Sequence, residues 1–399
     1  LSRGDWAGTL LVGHPGVMTM WSGALSLAWH TFITKTVAMA QLTAIDALPS
    51  LEVHSAETIR QLTTLLPAAK GGILFLHAAI SVTLYWLLKR LLDRRYALLA
   101  VLVLSLDPLY LALSRVLHID ALVSGFMLIS ILSALVYVRF AKRRDLVCSG
   151  VAAGLAVLSK SYGLFVAPAV VLFLAASTYR AALGNKAVGT RSGNTDTGHK
   201  GGPKLATQRP LWQALLRDIV LWGGAALGVF ILLWPATWAS PLAVWNNIVG
   251  LSLEYAIKPG DATASFFRGH ATGDVGASFY PTVLFFRSTP LVLVGSALAI
   301  IGLLWRGIKG QARGERRSVT LAMLVYPLLY IGVITLGKKK FDRYALPALL
   351  SVNVLAAIGL VEALDLIARL MGLGDARAKA RQVIVGGIAA VLILCQGAV

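Results

Sequence analysis

Apolar residues in this chain come in long unbroken runs separated by short polar stretches, and neither the alternation of a strand nor the narrow stripe of a half-buried helix dominates. Runs of about 17–25 such residues cross a bilayer as helices. Ten crossings are predicted, over residues 68–88, 96–113, 119–138, 146–159, 163–177, 211–234, 289–305, 319–336, 345–367 and 383–399. The fourth and fifth are short and close together, so by length alone they read as two crossings, one long helix or a re-entrant pair. Residues 1–67 are mixed in character, with Trp6, Met18, Met20, Trp21, Trp29 and Phe32 interleaved with polar residues, and are expected to form a long outer loop with membrane-surface helices. Residues 179–210 are rich in Gly, Thr, Asn and Lys and are expected to be a disordered insertion. The organisation predicted is therefore 1–67 as first outer loop, 68–178 as core spans, 179–210 as insertion, 211–288 as a span plus outer loop, and 289–399 as C-terminal spans. The fold class is an all-α polytopic membrane protein.

Composition agrees: 57% of the residues are hydrophobic and 14% charged, with mean hydropathy +0.73, which excludes an ordinary soluble domain. A formal charge of +19 raises nucleic-acid binding, but the basic residues recur as short clusters between apolar runs instead of lining one face, so no nucleic-acid partner is expected. Cys148 and Cys395 both fall in apolar runs, which gives no disulfide framework and no metal-ligand spacing. The chain begins at Leu1 instead of Met and reads as a piece whose start is missing.

The basic residues also arbitrate the topology. With the short pair taken as two crossings, 24 of the 37 Lys and Arg fall on one set of loops, which is then cytoplasmic by the inward bias of such charges. Merging the pair would reverse every later loop and put the clusters at 180–217 and 306–317 outside, so two crossings are predicted.

Against that bias, Lys338, Lys339, Lys340 and Arg343 sit on the outer side between two apolar runs. A basic cluster there calls for an anionic ligand. The same face holds Arg115, His118 and Asp120 in one turn, Lys160 after the Gly150 and Gly154 face, Lys70, His14, and His270 in the long loop. Each has a plainer reading. Arg115 and Asp120 make an ion pair that closes a hairpin, the two glycines are helix packing, Lys160 and Lys70 snorkel to the interface, and a loop histidine is structural. Asp107, within a span, either lines a cavity or pairs internally.

Several of these segments together are similar to a known group. Gly4, Asp5, Trp6 with Gly13, His14, Pro15 and Trp21 resemble the first outer loop of the GT-C fold glycosyltransferases that use lipid-linked sugars, the group holding protein O-mannosyltransferases and lipid A aminoarabinose transferases. Arg115 to Asp120 with Phe126 resembles the second outer turn, and Gly154, Leu155, Ala156, Leu158 and Lys160 the Gly-Leu-Ala-x-Leu-x-Lys segment. Phe279 and Tyr280 with Thr289 and Pro290, then Lys340, Arg343, Tyr344, Leu346 and Pro347, resemble two later signatures.

The resemblance implies a GT-C-like helical bundle that moves a sugar, with inversion, from a polyprenyl or dolichyl phosphate to a hydroxyl on a protein, lipid or glycan. The site would face away from the cytoplasm, in the periplasm or lumen. Lys338, Lys339, Lys340, Arg343, Tyr344 and Lys160 would hold the donor phosphate. Arg115, His118, Asp120, Lys70, His14 and His270 would contact substrate. No cofactor and no metal is expected, and the bilayer itself is a partner. The family's catalytic carboxylate is expected upstream of Leu1, and Lys70 stands where the family carries an arginine, keeping the charge but not the fork. A secondary transporter or flippase, or a non-catalytic member of the same fold, is the alternative.

Overall fold

The computed structural model describes residues 5–10, 15–46, 56–191, 211–250, 265–272, 275–309, 314–337, 340–371 and 387. Apart from Gly387, the expected crossing at 383–399 lies outside the described residues, as do His14, Lys338 and Lys339.

The first segment folds as α1 (Val17–Ala28), a π-helical turn (Trp29–Ile33) and α2 (Met39–Asp46). The core helices are α3 (Ala56–Leu91), α4 (Arg94–Ser105), α5 (Pro108–Ser114), α6 (Ile119–Phe140), α7 (Arg143–Ser159), α8 (Ala167–Arg191) and α9 (Leu211–Leu233). Then come the short α10 (Ala236–Ala239) and α11 (Pro241–Trp245), a hairpin of β1 (Ser265–Phe267) and β2 (His270–Thr272), and α12 (Phe279–Arg287). The chain closes with α13 (Pro290–Ile308), α14 (Glu315–Thr335) and α15 (Leu346–Leu370). Among the described residues, seven stretches are long and apolar enough to span a membrane, or up to eight if α4 and α5 count as one broken span. The 17-residue α7 is shorter, yet it runs between the same two ends of the bundle as α6.

Those ends are chemically distinct. At one, Arg90 grips Asp145 with two bonds of 2.7 and 2.8 Å, and Arg139 donates to the last carbonyls of α3, those of Arg90 and Leu91. Arg95–Asp365, Arg306–Glu362 and Arg316 to the Tyr96 hydroxyl complete this basic end. At the other end lie Asp120, Lys160 and Arg343. The sorting matches the loop alternation, including the two separate passes of α7 and α8.

Helices α6 and α15 are buried along nearly their whole length, as expected for helices apolar on every side. Small residues let their neighbours approach. A Cβ on Gly359 would fall on the carbonyl oxygen of Gly295, one on Gly154 on that of Ala226, and one on Gly72 on that of Ser22. The glycines of the 150–154 face are therefore packing residues against α9.

Four boundaries differ from expectation. Helix α3 starts at Ala56, not near residue 68, because Pro67 is accommodated inside it instead of ending it. The crossing at 96–113 is broken, with α4 and α5 bent by 67°. The residue before a proline avoids the helical region, and Asp107 is extended (ψ 123°) before Pro108. Its carboxylate caps α5 through the Tyr110 amide at 2.9 Å and accepts from Asn353 at 3.1 Å, so its role is internal pairing. Helix α8 runs on to Arg191, into the stretch expected to be disordered; Arg180, Ala181, Ala182 and Leu183 are strong helix formers that carry it past the apolar run. Finally, the segment between α11 and α12 contains a hairpin whose two turn residues, Arg268 and Gly269, have φ of 52° and 85°, the positive values that two-residue turns require.

Candidate functional site

Lys160 is placed by a tight reversal of the chain. It ends α7, its carbonyl accepts from the Gly163 amide at 2.9 Å, and a Cβ on Gly163 would strike the Ala156 backbone, so only glycine permits the fold-back. The first segment docks beside it: the Gly16 amide donates to Ser159, the Trp21 indole to the Leu233 carbonyl, and the Trp234 indole to the Thr9 carbonyl. Trp21 is thus anchored to the end of α9.

Asp120 enters from the first turn of α6, capped by His118, whose Nδ1 accepts from the Asp120 amide at 3.2 Å. Its carboxylate is fully buried and is the hub of the cluster. Oδ1 accepts from the Lys160 ammonium at 2.7 Å and from the Tyr162 hydroxyl at 2.9 Å. Oδ2 lies 3.2 Å from Arg343 Nε and 3.2 Å from His118 Nδ1. Arg343 comes from the 3-10 turn Asp342–Ala345 that leads into α15.

Tyrosines enclose the lysine. Its ammonium sits 4.5 Å from the Tyr344 ring centroid and 5.1 Å from that of Tyr162, and the Tyr330 hydroxyl donates to the Tyr344 carbonyl. The Arg343 guanidinium lies 4.4 Å from the Phe341 ring centroid. Burial lowers the His118 pKa, with Lys160 and Arg343 pushing the same way and Asp120 opposing. Burial raises that of the Tyr280 phenol, near the Phe341 backbone.

Exposure divides the labour. The Asp120 and Lys160 side chains are 0% and 3% exposed, whereas Arg343 and His118 are 37% and 35%. Lys160 is therefore a buried counter-charge, and Arg343 is the group at the rim. Asp342 is already held by Arg287 and by the Arg343 amide. Leaving Lys340 aside, Lys160, Arg343 and Arg287 stand against Asp120 and Asp342, three cations to two carboxylates in these ion pairs among the described residues. The surplus is positive and favours an anion.

Of the expected site residues, the structure brings together Lys160, Arg343, Tyr344, His118 and Asp120, with Lys340 buried just before them. It does not gather Arg115, Lys70 or His270, and His14, Lys338 and Lys339 lie outside the described residues. Arg115 is exposed and does not pair with Asp120, because that carboxylate faces inward to Lys160. Lys70 is half-buried beside the α1–α3 crossing, and His270 is exposed in β2. Tyr162 and Tyr330 were not anticipated, since a tyrosine within an apolar run has no signature separating it from core.

The sequence model of the dolichyl-phosphate-mannose-protein mannosyltransferase family matches residues 56–189, about a third of the chain. That stretch holds both Arg115–Asp120 and the segment ending in Lys160, so it coincides with the resemblance read from the sequence. Among solved structures, the chain is similar to ArnT from Cupriavidus metallidurans bound to undecaprenyl phosphate, at 14% identity and TM-score 0.48, over 79% of this chain and 51% of that one. It is also similar to the archaeal oligosaccharyltransferase AglB from Archaeoglobus fulgidus, in complex with an inhibitory peptide and a dolichol-phosphate, at 15% identity and TM-score 0.43, over 86% of this chain and 45% of that one. The chain thus spans about half the length of these structures. No curated protein sequence matches it.

Proposed function

We propose that the chain is a membrane glycosyltransferase that moves a sugar, with inversion, from a polyprenyl or dolichyl phosphate to a hydroxyl acceptor on the face away from the cytoplasm. The observation that carries this reading is the half-open Arg343 at the rim of the buried Asp120–Lys160 pair, set in a region of surplus positive charge. The family match over residues 56–189 supports the reaction class.

In this reading the acceptor oxygen attacks the anomeric carbon, a carboxylate takes the acceptor's proton, and the bond from the sugar to the lipid phosphate breaks. The departing phosphate gains negative charge, and groups fixed in advance at that point lower the barrier. Arg343 presents its planar fork to the phosphate oxygens. Lys160 acts at short range without contact, adding field from beneath while Asp120 keeps both cations in place. Asp120 is not the base: it is fully buried and already engaged by Lys160, Tyr162 and Arg343. The lipid tail lies between spans, which accounts for a phosphate site at the end of the bundle.

The test is transfer from a lipid-phosphate sugar by the full-length protein carrying Arg343→Ala or Arg343→Lys. Loss of about 10²–10³ in rate is expected for alanine, the scale seen when one preorganised charge-stabilising donor is removed. Lysine keeps the charge without the fork and should fall between. Wild-type rates in both variants would remove Arg343 from the mechanism. Absence of transfer by the unaltered protein would favour a transporter or a non-catalytic relative.

A further inference from the structure

A crevice of about 520 Å³ opens at the basic end of the bundle, the end opposite the Asp120 cluster, between α6, α8 and α14. That volume lies in the range of small-ligand sites. Its lining changes character along the helix axes. Arg139, Arg180, Ser177 and Ser318 lie toward the bundle end, while Leu172, Phe173, Leu321 and Val325 lie deeper. The helix directions fix that order, because α8 runs toward the basic end and α14 runs away from it. At 1.5 Å per residue, the step from Ser318 to Val325 or from Arg180 to Leu172 is about 10–12 Å of depth. Among the described residues, two arginines and no carboxylate line the crevice. Arg139 is held under the α3 carbonyls and Arg180 is exposed at the mouth.

We propose that this crevice binds an anionic membrane phospholipid, with its headgroup phosphate against Arg180 and Arg139 and part of one acyl chain along Leu172, Phe173, Leu321 and Val325. Charge complementarity selects the occupant. Basic pockets between spans at the cytoplasmic side recruit anionic headgroups, and a zwitterionic lipid would bring a cation to a site already cationic. A free phosphate could use the arginines but would leave the apolar depth empty. The lipid packs helix against helix at the end where α8 continues out of the apolar layer, so it is structural and separate from the donor site proposed at Arg343.

Native mass spectrometry of the full chain in detergent, incubated with phosphatidylglycerol or phosphatidylcholine, tests this. Preferential retention of phosphatidylglycerol is expected, weakened about tenfold or more by Arg180→Glu, since each basic residue near a membrane surface contributes several-fold in affinity. Ala176→Trp, which fills the crevice and leaves both arginines, should abolish retention. Arg343→Ala should leave it unchanged, so failure here is distinguishable from failure of the glycosyltransferase reading. Arg180→Gln serves if the charge reversal does not purify. Equal binding of the two lipids, wild-type retention in Arg180→Glu, Arg180→Gln or Ala176→Trp, or displacement of the lipid by millimolar inorganic phosphate would overturn the proposal.

Discussion

The cost of a single altered charge at Asp120 follows from its surroundings. Asp120→Asn would leave Lys160, 3% exposed, without its counter-charge, and an uncompensated buried ion costs about 3–5 kcal/mol. Lys160→Met strands the carboxylate at similar cost. The double replacement should recover much of the loss, because apolar substitution of a whole buried pair is often neutral, giving a coupling of about 1–3 kcal/mol in thermal unfolding of the detergent-solubilised protein. Strictly additive losses would show that the pair does not act as a unit. At this scale the sequence was informative where charge interrupted apolar runs, as at Asp120, Lys160 and Arg343. It was uninformative about direction: Arg115 is five positions from Asp120 yet turns outward, while Lys160, forty positions away, reaches its carboxylate. Helix phase and burial decide that difference, and neither is visible in a list of polar residues.

Among the elements, the pairing of α13 with α15 at Gly359 is, with that of α1 and α3 at Gly72, as close a backbone approach as the described glycines show. Gly359→Val would drive the helices apart, and overpacking of this kind costs about 1–3 kcal/mol. Gly223→Ala in α9, where an added Cβ meets nothing within 4 Å, is the control and should leave the melting temperature unchanged. Similar melting temperatures for the two variants would mean that the α13–α15 contact is looser than its geometry. The apolar runs gave the existence of nearly every long helix, because only continuous hydrophobicity survives burial on all sides. Breaks were less legible. Pro67 and Pro108 look alike in sequence, yet one lies within α3 and the other starts α5 after Asp107 caps it. The turn at Arg268 and Gly269 depends on backbone angles that a short polar loop does not advertise.

For the whole molecule, the counting of basic loops and the observed pairing of helix ends reach the same two-ended arrangement by independent routes. It predicts opposite accessibility for Lys142, between α6 and α7, and His270, in the hairpin. With Cys148 and Cys395 replaced by serine, a membrane-impermeant thiol reagent should modify Lys142→Cys only from the cytosol and His270→Cys only from the other side. Reaction of both from one side would reject the arrangement. The clasp between α12 and α15 has a mechanical consequence on this larger scale. Asp342 holds the Arg287 guanidinium with one oxygen and the Arg343 amide with the other, so α12, which follows the hairpin, and the start of the most enclosed helix are yoked through one side chain. Under the reading proposed for Arg343, a tilt of its guanidinium toward an arriving anion would pull on α12 through this clasp.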